Sequence, residues 1–321
     1  MPNYNKLALG RKASELGFAR DAFEKMSRLT EILQYIQSNE DLNTYLALKG
    51  GTAINLTFFN LPRLSVDIDF DFDSNLSKEQ TSEKRAYISG ILERYMASEG
   101  YTLKDKSKKT HILDSFVFAY TNAAGNSDNI KIEINYILRS HILPSVEITT
   151  QTDGIFPNFA VRTLAPTEIC ASKIVALTQR GAARDLYDLN NIISSGIFKE
   201  KELSLLRKSA TFYLALAGEG ITRGFDTANM NKITENKVHT DLRQMIRQSE
   251  RFNLQTAKDC VANFMLNEFV LQDDEIDFLK HFSVGNYKPQ LLFDDDEIIK
   301  RIENHPMAMW RLQNIRDKQE R

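Results

Sequence analysis

Residues 64–73 read LSVDIDFDFD, and this stretch decides the fold. Apolar and acidic side chains alternate strictly along it, and an alternation of period two predicts a β-strand. One face of that strand is apolar, so it should pack against the core. The other face is acidic and carries four aspartates, Asp67, Asp69, Asp71 and Asp73.

Four carboxylates on one face of a strand repel one another unless they are solvated, protonated or neutralised by a cation. Carboxylate oxygens are the preferred ligands of hard divalent cations, and Mg²⁺ takes one or two of them beside water and substrate phosphates. Asp67 and Asp69 meet this requirement, so we predict them as metal ligands and catalytic carboxylates. The alternative is an edge strand whose charges prevent aggregation.

A glycine pair precedes the acidic strand, in the sequence KGGT at residues 49–52. Glycine lets the backbone approach a phosphate, and the amides of a helix N-terminus and the Thr52 hydroxyl can donate to its oxygens. We therefore predict a nucleotide-binding site at Lys49, Gly50, Gly51 and Thr52. A phosphate site followed by a metal-binding strand is the layout that nucleotidyl transfer requires. Taken alone, Gly-Gly-Thr more often marks a tight turn.

The remaining pattern indicates an α+β protein, with strands first and helices after them. Helices are predicted at 13–38, at 77–98 with Ser77 as N-cap, and in a segment over 41–59 with Asp41 as N-cap. Further strands are predicted at 115–120, 129–138, 146–150 and 160–164. From Pro166 onward only helices are predicted, which divides the chain into domains 1–165 and 166–321.

Charge and composition limit the class of protein. With 41 Lys and Arg against 43 Asp and Glu, the net charge is -2. This balance excludes a protein that coats nucleic acid by bulk charge, but it allows a local basic patch. A lysine-rich stretch at 103–110 predicts a solvated loop, which would contact phosphates if the substrate is RNA. No segment has the length of a membrane helix or a signal peptide, so we expect a cytoplasmic protein without membrane association.

A second charged block, KIVALTQRGAARDLYDL, occupies residues 173–189. Lys173 and Arg180 are seven residues apart, so they share one face of a predicted helix. Asp185 and Asp188 share a face of the next helix. The alternative is a pair of solvated helices with weak surface ion pairs.

Together, KGGTAINLTFFNLPRLSVDIDFDF at 49–72 and the second block resemble the AbiEii/AbiGii toxin nucleotidyltransferases, which belong to the DNA polymerase β-like superfamily. Thr52 stands where that family often has serine, which keeps the hydroxyl. The superfamily commonly adds a third carboxylate on a neighbouring strand, and Glu133 in NIKIEINYIL (129–138) is the candidate. The alternative for Glu133 is an exposed ion pair with Lys131.

The resemblance implies a nucleotidyltransferase-fold mixed β-sheet with flanking helices, followed by a mostly helical C-terminal domain that contributes Lys173 and Asp188 to the active site. Lys173 would contact the triphosphate, and either Asp188 or Asp185 would assist. Asp67, Asp69 and Glu133 would bind Mg²⁺, or Mn²⁺ in its place.

The implied activity is that of a toxin of a toxin–antitoxin or abortive-infection system. Such an enzyme transfers a nucleoside monophosphate from an NTP to an acceptor hydroxyl, with the tRNA 3′ end as the expected acceptor and a cognate antitoxin as partner. Transfer to a protein hydroxyl, an NTP-binding regulatory module without transfer activity, and a metal-dependent nuclease are the alternatives.

Overall fold

The computed structural model describes residues 4–218 and 225–319 and divides them into two compact units. The segments of each unit are discontinuous. Unit 1 comprises the described residues of 1–139, 145–163 and 243–250, and unit 2 those of 140–144, 164–242 and 251–321. The main change from one unit to the other falls between Thr163 and Leu164.

A mixed β-sheet forms the centre of unit 1. The strands are β1 (Leu46–Lys49), β2 (Asp67–Phe72), β3 (Thr102–Leu103), β4 (Lys108–Lys109), β5 (Leu113–Thr121), β6 (Ser127–Asn135), β7 (Val146–Thr149) and β8 (Ala160–Thr163). Their order is β3–β5–β6–β2–β1–β8–β7, and β4 pairs with β5 beside β3. The β2–β6 and β1–β8 pairs are parallel and the others antiparallel. The predicted mixed sheet is thereby confirmed.

Helices of unit 1 flank this sheet at α1 (Lys6–Leu16), α2 (Arg20–Ser38), α3 (Glu40–Tyr45), α4 (Gly50–Thr57) and α5 (Lys78–Ser98). The prediction for α5 is confirmed, because Ser77 and Gln80 form a capping box at its start.

Two predictions for the helices of unit 1 were wrong in detail. The helix predicted over 13–38 is two helices, because Gly17 adopts a left-handed conformation that ends α1. The segment 41–59 contains β1 between α3 and α4, and the N-cap of α3 is Asn39 rather than Asp41. Four apolar-rich residues are too few to distinguish a buried strand from a helical turn by periodicity.

Unit 2 is helical over its described residues, as predicted for the chain after Pro166. Its α-helices are α6 (Pro166–Arg180), α7 (Ala183–Ser195), α8 (Glu200–Ala217), α9 (Glu235–Asp241), α10 (Leu254–Asn267), α11 (Asp273–Ser283), α12 (Asp296–Ile302) and α13 (Pro306–Gln319). Two short 3₁₀ segments, Ala228–Lys232 and Pro289–Leu291, connect them. Across residues 4–218 and 225–319, no helix is long and apolar enough to cross a membrane.

The sheet of unit 1 has one buried face and one more open face. Ile68, Phe70 and Ile132 are fully buried on the first. Asp67, Asp69 and the residues beside them on β6 are half-buried on the second. The alternation in the sequence therefore directs the aspartates away from the main core of the unit.

A buried ion pair on α2 ties this helix to the turn between β5 and β6. Glu24 and Arg28 are both buried and lie 2.8 Å apart. The Glu24 carboxylate also accepts a hydrogen bond from the backbone amide of Ala123, and the Arg28 guanidinium lies 4.3 Å from the ring centroid of Tyr120. Both charges are thus compensated inside the protein.

We expect the Arg28→Met substitution to destabilise the protein by about 3–5 kcal/mol, because it leaves a buried carboxylate without its cation. Chemical denaturation measures this loss. Arg20→Met is the matched control, since Arg20 pairs with Asp21 at an exposed position of the same helix, where a pair contributes about 1 kcal/mol or less. Equal stabilities of the two variants would contradict the prediction.

Candidate active site

The turn between β1 and α4 lies against the Asp69 carboxylate. Gly50 begins α4 with φ +72°, a left-handed conformation that side chains other than glycine rarely adopt. A Cβ atom at this position would lie 2.9 Å from Asp69 Oδ2, closer than such atoms approach. Lys49 and Asp69 are also direct partners of the β1–β2 pair. The left-handed turn therefore favours glycine, and its lack of a side chain lets the Asp69 carboxylate pack closely on the turn.

Thr52 connects the same turn to the first residue of β2. Its hydroxyl is buried, donates to the backbone carbonyl of Asp67 at 2.5 Å, and lies 2.6 Å from Ser65 Oγ. The hydroxyl that we expected at a phosphate is thus used inside the protein. In this position it fixes where β2 begins, and with it the backbone of Asp67.

The far end of the acidic strand is neutralised by cations of unit 1. Lys49 Nζ lies 2.5 Å from Asp71 Oδ1, and Arg162 lies 2.6 Å from the carboxylate of Asp73. Asp71 is buried, and burial raises its pKa to about 6 although Lys49 acts in the opposite direction. Lys49, a predicted nucleotide ligand, is therefore also the counter-ion of a buried aspartate.

Glu133 lies directly opposite Asp69 in the parallel β2–β6 pair. Direct partners in a sheet present their side chains on one face. Glu133 also forms an ion pair with Lys131, with Nζ 2.9 Å from Oε1, which is the alternative that the sequence left open. Partial burial alone would lower the pKa of Lys131, but the hydrogen bond and charge of Glu133, aided by Asp67 and Asp69, raise it. Lys131 thus belongs electrostatically to the carboxylate group.

The chemistry of Asp67, Asp69 and Glu133 suits a hard cation, since all three supply carboxylate oxygens from one sheet face. Within the described ranges, no three carboxylate, imidazole or thiol side chains are arranged as a complete metal centre. Mg²⁺ does not need one, because it binds through one or two carboxylates and substrate phosphates. The donor set therefore fits Mg²⁺ with its substrate better than a metal held by protein alone.

In unit 2, both candidate aspartates contact Lys173. Its Nζ lies 2.8 Å from Asp185 Oδ1 and 3.0 Å from Asp188 Oδ2, and all three side chains are almost fully buried. Arg180, whose side chain is 64% exposed, donates to Asp185 from Nε at 2.7 Å. α6 supplies the two cations and α7 the two anions, as the spacing predicted. This cluster holds the Lys173 ammonium in one orientation.

Asp185 remains ionised in this cluster at low pH. Burial would raise its pKa, but the charges and hydrogen bonds of Lys173 and Arg180 outweigh burial and hold the pKa well below its usual range. Gly181, which ends α6 in a left-handed conformation, sets the turn between the two helices. A Cβ there would lie 2.2 Å from the backbone oxygen of Asn229, so only glycine fits.

Sequence reasoning missed two side chains that support the acidic strand. Arg162 neutralises Asp73 from a residue 89 positions away, and Ser65 contacts the Thr52 hydroxyl. No local pattern distinguishes either residue, because both act through pairings between distant segments.

A carboxylate-bearing strand packed on a glycine turn at the start of a helix, within a mixed sheet, is the architecture of a nucleotidyltransferase. The family described as "Nucleotidyl transferase AbiEii toxin, Type IV TA system" matches residues 31–264. The chain belongs to this family, and it is a nucleotidyltransferase toxin of a type IV toxin–antitoxin system. Family membership implies an NTP substrate and an antitoxin partner.

The fold is also similar to that of MenT4, a nucleotidyltransferase toxin from Mycobacterium tuberculosis H37Rv. The two share 18% sequence identity with a TM-score of 0.63, and the match covers 96% of this chain and 99% of that one. At this identity the likeness concerns the fold. No curated protein matches the sequence.

We expect Gly50→Ala to reduce the rate of nucleotidyl transfer by about 10²-fold. The new methyl group would lie too close to Asp69 Oδ2, so the Asp69 carboxylate would have to move away from its present position. Steady-state transfer assays on the purified variant measure this loss. Gly125→Ala is the matched control, since Gly125 also has a left-handed φ of +87° but has no atom within 4 Å of the added methyl group. The prediction fails if the two variants retain equal activity.

We expect Asp185→Asn to lower the free energy of unfolding at neutral pH by about 1.5–3 kcal/mol, the range for hydrogen bonds to charged groups. A carboxyl whose folded pKa is depressed stabilises the fold above its unfolded pKa, and this stabilisation is lost as the pH falls. The difference between wild type and variant should therefore shrink below about pH 4.

Urea denaturation over an acid pH series measures this difference. Asp259→Asn serves as the control, because Asp259 is exposed on α10, where it accepts a hydrogen bond from Gln255. A wild-type-to-variant difference that stays constant on acidification would contradict the assignment.

Proposed function

We propose that this enzyme uses Mg²⁺, or Mn²⁺ in its place, to transfer a nucleoside monophosphate from an NTP to an RNA. The proposed acceptor is the hydroxyl at the 3′ end of a tRNA. One observation carries the proposal. Asp69 has Glu133 as its direct partner on one side and the Gly50 turn packed against it on the other. This arrangement supports a metal position beside a phosphate position, as nucleotidyl transfer requires.

Asp67 and Asp69 are the proposed ligands of the metal, and Glu133 is the proposed third ligand. When bound, Mg²⁺ supplies charge stabilisation to the attacking and leaving oxygens of the displacement. The ion pair of Glu133 with Lys131 does not oppose this role, because the lysine side chain is 39% exposed and can move toward solvent.

The proposed phosphate contacts come from the start of α4. Lys49 is the N-cap of this helix and makes no capping hydrogen bond with its side chain, so the amides of Gly50, Gly51 and Thr52 are the donors for phosphate oxygens. The Thr52 hydroxyl orients Asp67 instead. Lys49 keeps Asp71 neutralised and adds positive charge next to the amides.

Lys173 is the proposed partner of the triphosphate in the same reaction. Its contacts with both Asp185 and Asp188 favour an orienting role for the two carboxylates. The family match extends over both sequence blocks, which supports a joint function for Lys173 and the acidic strand.

The proposed reaction is a single displacement at the α-phosphorus. The acceptor oxygen forms a bond to this phosphorus while the bond to the β-phosphate oxygen breaks, and pyrophosphate leaves. The hydroxyl proton passes to a carboxylate of the site or to solvent. An extended tRNA 3′ end no longer presents its original terminal hydroxyl, which would account for toxicity, and the proposed substrates are consistent with a reaction in the cytoplasm.

We expect Asp67→Asn and Lys173→Met each to lower transfer by about 10³-fold or more, since each removes several kcal/mol of transition-state stabilisation. The assay incubates total tRNA with each labelled NTP, with and without Mg²⁺, and detects lengthened RNA and released pyrophosphate. The same variants should lose toxicity in growing cells. Asp153→Asn is the control, because Asp153 is exposed and its left-handed φ of +50° suits asparagine.

Other outcomes of this experiment identify other functions. Label in a protein fraction indicates a protein hydroxyl as acceptor. Nucleotide binding without pyrophosphate release indicates a regulatory module, and RNA shortened in the absence of NTP indicates a nuclease. Full toxicity of both variants would overturn the assignment of the site.

A further inference from the structure

A continuous row of paired residues crosses the sheet of unit 1 at the level of Asp69. Asp69 on β2 pairs with Glu133 on β6, Glu133 with Ser115 on β5, and Ser115 with Lys108 on β4. Direct partners in a sheet lie on one face, so all four side chains lie on the face of the proposed metal ligands. Strands are about 4.8 Å apart, which puts Lys108 roughly 14 Å from Asp69 along the row.

The charge of this face changes along the row from acidic to basic. Asp69 and Glu133 are half-buried carboxylates, Ser115 is a half-buried hydroxyl, and Lys108 is an exposed cation at the sheet edge. Lys131 lies two residues before Glu133 on β6, on the same face and opposite Asp67. On this face Lys131 thus lies among the carboxylates, where it pairs with Glu133, and Lys108 lies beyond them at the sheet edge.

Lys109 differs from its neighbour Lys108 because successive residues of a strand point to opposite faces. Its Nζ lies 2.8 Å from Glu93 Oε1 on α5 and 5.2 Å from the ring centroid of Phe116. Lys109 therefore serves the helix-covered face of the sheet. The lysine-rich stretch 103–110, which the sequence predicted to be a solvated loop, includes the short strand β4. The two lysines of this strand point to opposite faces of the sheet.

We propose that Lys108, Ser115 and Lys131, here called the acceptor strip, bind the phosphates that precede the 3′ hydroxyl of a polynucleotide acceptor. This inference rests on the proposed function, which puts that hydroxyl at Asp67 and Asp69. The roughly 14 Å to Lys108 correspond to about four nucleotides at the 3.4 Å rise of a single strand in a duplex, and to fewer when the strand is extended.

Charge complementarity favours a polynucleotide over a polypeptide on this strip. Each nucleotide of a bound RNA strand carries one negatively charged phosphate. A protein substrate has no such regular negative charge to pair with Lys108 and Lys131. Ser115 can donate to a phosphate oxygen or a ribose hydroxyl between them. The carboxylate end of the row repels phosphates, so a bound strand is directed with its uncharged hydroxyl, rather than a phosphate, toward Asp69.

The test uses a fluorescent single-stranded RNA of about twelve nucleotides with a free 3′ hydroxyl, within the usual range of single-strand sites. Anisotropy measures its binding to the full-length protein over a salt series, without NTP. We expect Lys108→Ala to weaken binding roughly tenfold at about 50 mM salt and to reduce the slope of log K against log salt by about 0.7.

Lys109→Ala is the matched control, because it removes the same charge from the adjacent residue on the opposite face. Its exposed ion pair with Glu93 contributes about 1 kcal/mol or less, so the fold should persist. Binding within about twofold of wild type supports the strip. Equal weakening by the two substitutions, or no weakening by either, overturns it.

Transfer kinetics separate the failure of this inference from that of the proposed function. With the strip as acceptor site, Lys108→Ala raises the KM for the RNA and leaves kcat and the KM for NTP unchanged. If the wild-type enzyme transfers nucleotide to RNA but Lys108→Ala and Lys109→Ala have the same KM, the strip is wrong and the function stands. If wild type transfers nothing while RNA binding is weakened by Lys108→Ala but not by Lys109→Ala, the function is wrong and the strip stands only as an RNA-binding surface.

Discussion

Repulsion among the carboxylates of β2 is the constraint on which the rest of unit 1 depends. The cations that compensate these negative charges differ between the two ends of the strand. Asp73 and Asp71 have Arg162 and Lys49 at hydrogen-bonding distance, whereas the charges of Asp69 and Asp67 act on the more exposed Lys131, which pairs with Glu133. Under the proposed function, a cation bound by Asp67 and Asp69 would further reduce this repulsion, so metal binding would stabilise the same arrangement of the strand.

The Gly50 turn and the acidic strand β2 are also held together as one structural part. Gly50 packs on the Asp69 carboxylate, and the Thr52 hydroxyl holds the backbone carbonyl of Asp67. A shift of either carboxylate moves the amides that would receive a phosphate. This coupling explains why the two features occur close together in the sequence: a short connection limits the number of ways in which the turn and the strand can be placed.

Local periodicity was sufficient for the elements that carry strong patterns. The acidic strand, the capped helix after Ser77 and the helix pair that carries Lys173 and Asp188 could all be predicted from spacing alone. Predictions failed where the determining contact is distant. The strand β1 has only four residues and exists because β2 and β8 pair with it on both sides. For Thr52, likewise, nothing local indicates that its hydroxyl bonds the Asp67 carbonyl and contacts Ser65.

The lysine of unit 2 contacts both of the aspartates that the sequence offered as alternatives. Asp185 and Asp188 lie one helical turn apart, so a side chain from α6 that contacts one of them is within reach of the other. One buried ammonium between two carboxylates leaves an excess negative charge, and Arg180 offsets it through Asp185. The pair of anions thus needs both cations of α6, and the spacing of Lys173 and Arg180 on one helix face follows from that need. Both aspartates contact Lys173, and Asp185 also contacts Arg180, so the two carboxylates differ in the cations that surround them.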